Sequence, residues 1–232
     1  MSESATIQRA GGLQLEYGID ANFRAGDYRS QQSTPLGLRF AVTNRLRLDL
    51  DLDAITSQTD ETRVRATGVG DTTLGFKAII RDQPKERLAL AFAYAVTVPS
   101  ASAEKNLGTG RVDHNLRFIF NRALGKTDYV VNFSYLNVGR EDSDRRASGG
   151  QAILTVTREL PKEFGIIGEV YGQSVNESQS RGIYTLAALT YKANQRLQFD
   201  AGLRAGFGSD APRLGIFAGL TVGIADLYRQ GK

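Results

Sequence analysis

Apolar and polar residues alternate along most of the chain, the period of a strand whose two faces meet different surroundings. Over 12–24, Leu13, Leu15, Tyr17, Ile19, Ala21 and Phe23 share one face, and Gln14, Glu16, Gly18, Asp20, Asn22 and Arg24 share the other. Over 36–43, Leu36, Leu38, Phe40 and Val42 oppose Gly37, Arg39, Ala41 and Thr43; over 46–53, leucines alternate with Arg47, Asp49, Asp51 and Asp53. The pattern recurs at 72–80, with Lys77 on the polar face, and at 88–98, where Leu88, Leu90, Phe92, Tyr94, Val96 and Val98 oppose a row of alanines. It returns around Arg117, around Asn132, at 197–207 with Asp200 and Arg204 on the polar face, and at 214–224. Three further segments, 151–158, 164–173 and 183–192, are strand-like but do not reveal which face is which. The total is about twelve strands, each near the length that crosses a bilayer at a tilt.

The connections alternate too. Those at 25–35, 54–70, 99–111, 139–149, 174–181 and 208–212 are long, and those at 44–45, 81–87, 122–127, 159–163 and 193–196 are short. Outer-membrane barrels have this asymmetry, with short periplasmic turns and longer external loops. An even strand count then puts both chain ends on the short-turn side. A soluble sandwich or ligand-binding barrel also alternates, but about twelve closed strands leave a lumen too wide to fill with side chains, since eight strands already fill it. Turning the large apolar face to lipid and the small and polar face to a wet interior resolves this. Closure also pairs every backbone N–H and C=O, as a bilayer requires. The expectation is an all-β, closed, antiparallel, up-and-down transmembrane β-barrel of about 12 strands. It forms one domain over 1–232, with 1–11 as an N-terminal periplasmic extension and 225–232 as a C-terminal tail.

Composition changes this picture little. The chain holds 25 glycines, 5 prolines and no cysteine, which suits tight turns and excludes a disulfide framework or thiolate metal site. A formal charge of +4 is spread among acids without a long basic run, so nucleic acid is not an expected partner. No stretch is apolar and long enough for a transmembrane helix. Residues 1–12 lack the basic start and apolar core of a signal peptide, so the reading is a mature outer-membrane chain behind an added Met1, with a cytosolic protein as the alternative.

Two stretches carry a resemblance. Residues 68–77 read GVGDTTLGFK and residues 96–113 read VTVPSASAEKNLGTGRVD. Both resemble the outer-membrane transporter-like barrel family named for a phenol meta-pathway, whose members carry Gly-x-Gly-Asp-x-x-Leu-Gly-x-Lys, Leu/Val-Pro-Ser/Thr and Leu-Gly-x-Gly-x-x-Asp pieces. The recognisable motifs cover about residues 68–140. The resemblance implies a barrel that moves small organic molecules across the bacterial outer membrane, and it supplies no binding residues. Barrels of this kind usually end on a terminal aromatic, whereas this chain continues past Ile224 with ADLYRQGK.

Lumen-lining or solute-contact candidates are the polar-face charges Glu16, Asp20, Arg39, Arg47, Asp49, Asp51, Lys77, Arg117, Asp200 and Arg204. They read equally as a charged constriction that selects solutes and as a salt-bridge ladder that braces the wall, with Arg39 near Asp49 or Asp51. His114 is the sole histidine; a lipid hydrolase built on it would need a serine and an acid beside it in space, and a polar residue at a loop mouth is the simpler reading. Asp71 reads as a turn residue bonding its own backbone. No cofactor and no metal site is expected. The functional expectation is a non-enzymatic barrel passing or binding a small apolar or aromatic solute. A sealed structural barrel is the first alternative and the hydrolase the second. Membrane lipid is a further partner, as is lipopolysaccharide, whose phosphates could pair with Arg and Lys in loops such as 140–146. The sequence leaves the solute and the oligomeric state open.

Overall fold

The structure is a computed structural model and describes residues 2–25, 28–82, 88–105, 107–108, 110–140, 145–176, 181–208 and 211–228. Among the described residues thirteen strands occur: β1 (Gly12–Ala25), β2 (Tyr28–Ala41), β3 (Leu46–Asp60), β4 (Arg65–Gly68), β5 (Thr72–Arg81), β6 (Ala89–Val98), β7 (Asp113–Leu124), β8 (Thr127–Gly139), β9 (Arg146–Glu159), β10 (Phe164–Val175), β11 (Arg181–Asn194), β12 (Leu197–Phe207) and β13 (Leu214–Asp226). Twelve are staves of one antiparallel barrel in sequence order, and β4 is a short ribbon on the far end of β3. Closure comes from β1, which pairs β2 on one side and β13 on the other. The closing register runs from Gly12 opposite Asp226 to Phe23 opposite Leu214.

The last strand therefore reaches Asp226, two residues into the stretch read as tail. Leu227 N then donates to Gly11 O at 2.8 Å, which ties the two ends of the wall together at the short-turn end. Residues 229–232 lie outside the described residues.

The staves run from 10 to 15 residues, most of them longer than the roughly 9–11 that a tilted crossing takes. Two long connections shrink accordingly. Residues 25–35 read as a loop because RSQQSTP has no apolar period, yet Tyr28–Ser33 continue β2 against β1. Beyond the bilayer both faces of a stave meet polar surroundings, so pairing persists where hydrophobic periodicity has ended. Pro35 brings no N–H to the ladder, and the β2–β3 register shifts at Ser33/Pro35. Thr34 Oγ1 repairs the gap by accepting the Ile55 N–H at 2.8 Å. At the other end, Gly125 sits at φ +58° between β7 and β8, a conformation that favours glycine in a two-residue turn.

The apolar face points out. Leu48, Phe133 and Leu203 are 47%, 51% and 57% exposed, and Phe92 lies between Phe76 and Phe118 at ring separations of 5.8 Å. The three ambiguous segments resolve with Leu154, Val170 and Leu189 exposed, while Ile153, Glu169 and Leu186 are buried inside. Both faces carry aliphatic residues there, which is why alternation could not decide. The lumen is accordingly less polar than expected: Ile79, Ala91, Ala93, Ile119 and Val130 form a buried cluster on its inner wall.

Residues 2–11, read as a periplasmic extension, lie against the inner wall of the barrel instead. Where described, the segment turns back at Gly11, is held by Ala10 N donating to Asn44 Oδ1 at 3.0 Å, and runs up the lumen. Its far end meets the middle of the wall, where Ser2 N donates to Glu169 Oε2 at 2.9 Å. Ala5 is buried in the cluster on the inner wall, with Ile7 packed beside it. The sequence gives no signal for this placement, because nine residues without periodicity look like any polar terminus.

The facing has a direct test. A spin label on Leu48 should be quenched by a lipid-soluble relaxant and one on Asp49 by a water-soluble relaxant, since the opposite facing would turn Arg47 outward, which at the midplane costs roughly 2–4 kcal/mol. Equal access of the two positions to the lipid-soluble relaxant would contradict this facing.

Candidate functional site

Strand alternation sends one polar side chain per two residues into the lumen, and antiparallel register sets which charges meet. Arg39 on β2 lies opposite Asp49 on β3. Its guanidinium reaches Glu16 Oε2 at 3.0 Å, Asp51 Oδ1 at 2.5 Å and Asp49 Oδ1 at 3.9 Å. Gly37 makes room for this, because a Cβ there would lie 3.0 Å from both Arg39 Nη2 and Asp51 Oδ1. Arg204 pairs with Asp20 across the closing strands, and Asn22 donates to Asp20 Oδ1 at 2.7 Å. This upper layer is a ladder closed within the wall.

A second layer is not closed within the wall. Arg47 Nε donates to Asp49 Oδ1 at 2.6 Å. Arg47 Nη2 also reaches Glu3 Oε2 at 3.0 Å, Arg117 Nη1 reaches Glu3 Oε1 at 3.1 Å, and Lys77 Nζ lies 3.5 Å from Glu3 Oε2. Lys77 is 1% exposed and donates to Ser4 O at 2.9 Å. Among the described residues, Lys77 and Arg117 find their ion-pair partner in Glu3 alone. The backbone of Glu3 is held at both polar groups: its N–H donates to Asn132 Oδ1 at 2.8 Å, and Asn132 Nδ2 donates back to its carbonyl at 2.9 Å.

Of the ten charges expected to line the lumen, nine fall into these two layers. The tenth, Asp200, borders two cavities of about 330 and 590 Å³. The larger follows the N-terminal segment and is lined on the wall side by Thr155, Thr157, Ile167, Leu186, Thr190 and Phe217, among others. Hydroxyls, aliphatic side chains and the charged groups of Glu16, Arg47, Asp128, Glu169 and Asp200 thus share one cavity. Above it, Tyr171 and Tyr184 stack with ring centroids 4.3 Å apart.

Sequence reasoning missed Glu3, Asn132 and Glu169. Glu169 is buried and is bonded to Thr155 Oγ1 at 2.9 Å and to Ser2 N, with its Oε1 unpartnered. Its segment had unresolved facing, so its carboxylate could not be assigned to the lumen.

The remaining candidates sit elsewhere. Asp71 does not bond its own backbone; its Oδ1 accepts from Ala101 N at 3.0 Å in the next long connection. Ser100 Oγ donates to Gly70 O at 3.2 Å, and a Cβ on Gly108 would lie 2.5 Å from Asp71 Oδ2. The GVGD and VPS…LG stretches therefore lock two connections together at the long-loop end; Thr109 of the GTG piece lies outside the described residues. His114 Nδ1 pairs with Tyr94 Oη at 2.7 Å. Ser148 bonds Tyr135 and Asn137 instead, with the Asn137 strand standing between it and His114. Two strand spacings are about 10 Å, beyond a proton transfer. Of 140–146, residues 141–144 lie outside the described residues.

The fold and the charged lumen together define a transmembrane barrel of the outer-membrane type. The chain belongs to the family described as "Putative MetA-pathway of phenol degradation", whose model matches residues 2–224. No curated protein matches the sequence. Among solved structures it is similar to the KdgM porin in complex with disordered oligogalacturonate, at 10% identity and TM-score 0.59 over 91% of this chain and 99% of that one. The NanC porin is similar at 9% identity and TM-score 0.60, over 92% and 99% of the two chains. The outer membrane phospholipase A of Escherichia coli is similar at 11% identity and TM-score 0.53, over 92% and 97%. At these identities the likeness is one of fold.

The two kinds of ion pair should differ in weight. Arg39→Met leaves Glu16, Asp49 and Asp51 without their shared cation and should lower stability by about 1.5–3 kcal/mol, the range for hydrogen bonds to charged groups. Arg45→Met removes a pair with Asp82 in which both side chains are more than half exposed (64% and 58%), and such pairs contribute about 0–1 kcal/mol. Urea titration of the two variants in detergent, followed by tryptophan-independent far-UV dichroism, measures the difference; equal midpoints would refute it.

Proposed function

We propose that the protein is a channel in the bacterial outer membrane that passes a small apolar or aromatic solute. The observation that carries this is the 590 Å³ cavity inside the wall, where Ile167, Leu186 and Phe217 share the lining with threonine hydroxyls and with the charged side chains of Glu16, Arg47, Asp128, Glu169 and Asp200. A surface of that mixture suits a ring bearing one polar group, because the ring displaces water from the aliphatic positions while the polar group keeps a hydrogen-bond partner. The family's description, which names phenol degradation, supports the aromatic class. The porin fold of KdgM and NanC supports a channel.

A sealed structural barrel is the second reading, favoured by the N-terminal segment inside the lumen and by the closed Arg39 ladder. Reconstitution separates the two. In planar bilayers and proteoliposomes the protein should give discrete conductance steps and admit labelled phenol faster than protein-free vesicles do. If both current and uptake stay at the protein-free level, the channel reading fails and the structural one stands.

A further inference from the structure

We infer that Arg47, Lys77 and Arg117 form a carboxylate-binding site in the lumen, that Glu3 of the chain's own N-terminal segment occupies it, and that a small aromatic carboxylate competes with Glu3 and withdraws the segment. The inference rests on the channel reading and gives its solute class and its gate.

Three observations carry it. The first is charge. With Glu3 removed, three cations share one wall carboxylate, Asp49, which also faces Arg39. Lys77 would then be a buried ammonium without an ion-pair partner among the described residues, and a buried charge left unpaired is strongly unfavourable. Around Lys77 and Arg117, then, the wall supplies no ion-pair carboxylate among the described residues, and the anion comes from the segment. The second is shape. Immediately beyond the cations, Ala5 and Ile7 fill the apolar cluster of Ile79, Ala89, Ala91, Ala93, Ile119 and Val130. The segment presents a carboxylate followed by an apolar body, and a ligand that replaces it needs the same two parts. A benzoate-like acid has both. The third is reversibility. The segment is held by side-chain hydrogen bonds and ion pairs and adds no strand to the wall. Leaving the lumen breaks no ladder hydrogen bond. With Glu3 in place, the cavity remaining beside Arg117 and Asn115 is only about 60 Å³, room for water but not for a ring.

A redox lock tests this in one protein. The chain has no cysteine, and Ser2 Oγ lies 2.6 Å from Thr155 Oγ1, so Ser2→Cys with Thr155→Cys places two thiols where a disulfide can fix the segment inside. In proteoliposomes the reduced double variant should take up benzoate saturably, the oxidised one should lose most of that uptake, and reductant should restore it. Electrophoretic heat-shift confirms a folded barrel in both states. Glu3→Gln, which keeps the wall intact, should raise single-channel conductance and shift the reversal potential towards anion selectivity, with benzoate blocking the chloride current. Equal benzoate uptake in the two redox states, or an unchanged reversal potential in Glu3→Gln, overturns the inference and leaves the channel reading standing. If no variant in either state passes any solute, both readings fall together.

Discussion

A polar group at membrane depth must find its partner inside the protein, and this one constraint organises the whole chain. For the backbone it forces closure: β1 cannot stop at an edge and must pair β13 as well as β2. Twelve closed staves in turn set a lumen too wide for its own side chains. For the side chains the same constraint then acts inward. Every second residue faces the lumen, charges fall there, and each needs a counter-charge from a neighbouring stave or from something placed in the space between.

Much of this was legible because the constraint writes itself into the sequence twice, as alternation and as turn spacing. Leu13 to Phe23 and Leu46 to Leu52 have one solution each: a one-residue slip would put Asp49 and Asp51 in lipid. Legibility failed where the two sides of the wall resemble one another. At Ile153, Ile167 and Leu186 the inner face is as aliphatic as the outer, so period alone could not orient β9, β10 or β11. It also failed above the membrane, where Tyr28–Ser33 pairs as strand with no apolar face to show it. Glu3 was invisible for a different reason. Its position depends on cations contributed by β3, β5 and β7, and no local pattern records a contact with Arg117 that spans 114 residues.

The lumen charges fall into two layers that find their partners in different places. Arg39 meets Glu16, Asp49 and Asp51, and Arg204 meets Asp20, so both guanidiniums find their partners in the wall wherever the N-terminal segment lies. Such a layer ties staves together and leaves no cation without a wall partner, its carboxylates outnumbering its guanidiniums. In the other layer, Arg47 and Lys77 face each other on neighbouring staves and Arg117 lies two staves further on; part of their counter-charge comes from a segment that is not part of the wall.

That asymmetry bears on how a lumen can be both stable and responsive. A ladder closed within the wall cannot be altered by anything entering the lumen without leaving buried charge behind. A layer completed by a detachable segment can be, because an incoming anion replaces the lost partner as the segment leaves, and the number of paired charges is conserved at each end of the exchange. The wall in between stays unchanged, since the segment adds no strand to it. Stability therefore resides in the backbone ladder and the Arg39 layer, and responsiveness is confined to the few contacts around Glu3, Ser2 and Ala5. The amphipathic inner wall follows from the same division. Ile79, Ile119 and Val130 would be poor lining for a permanently open aqueous pore, but they are suitable surroundings for an occupant that brings its own apolar side chain, whether that occupant is Ala5 or the body of a solute.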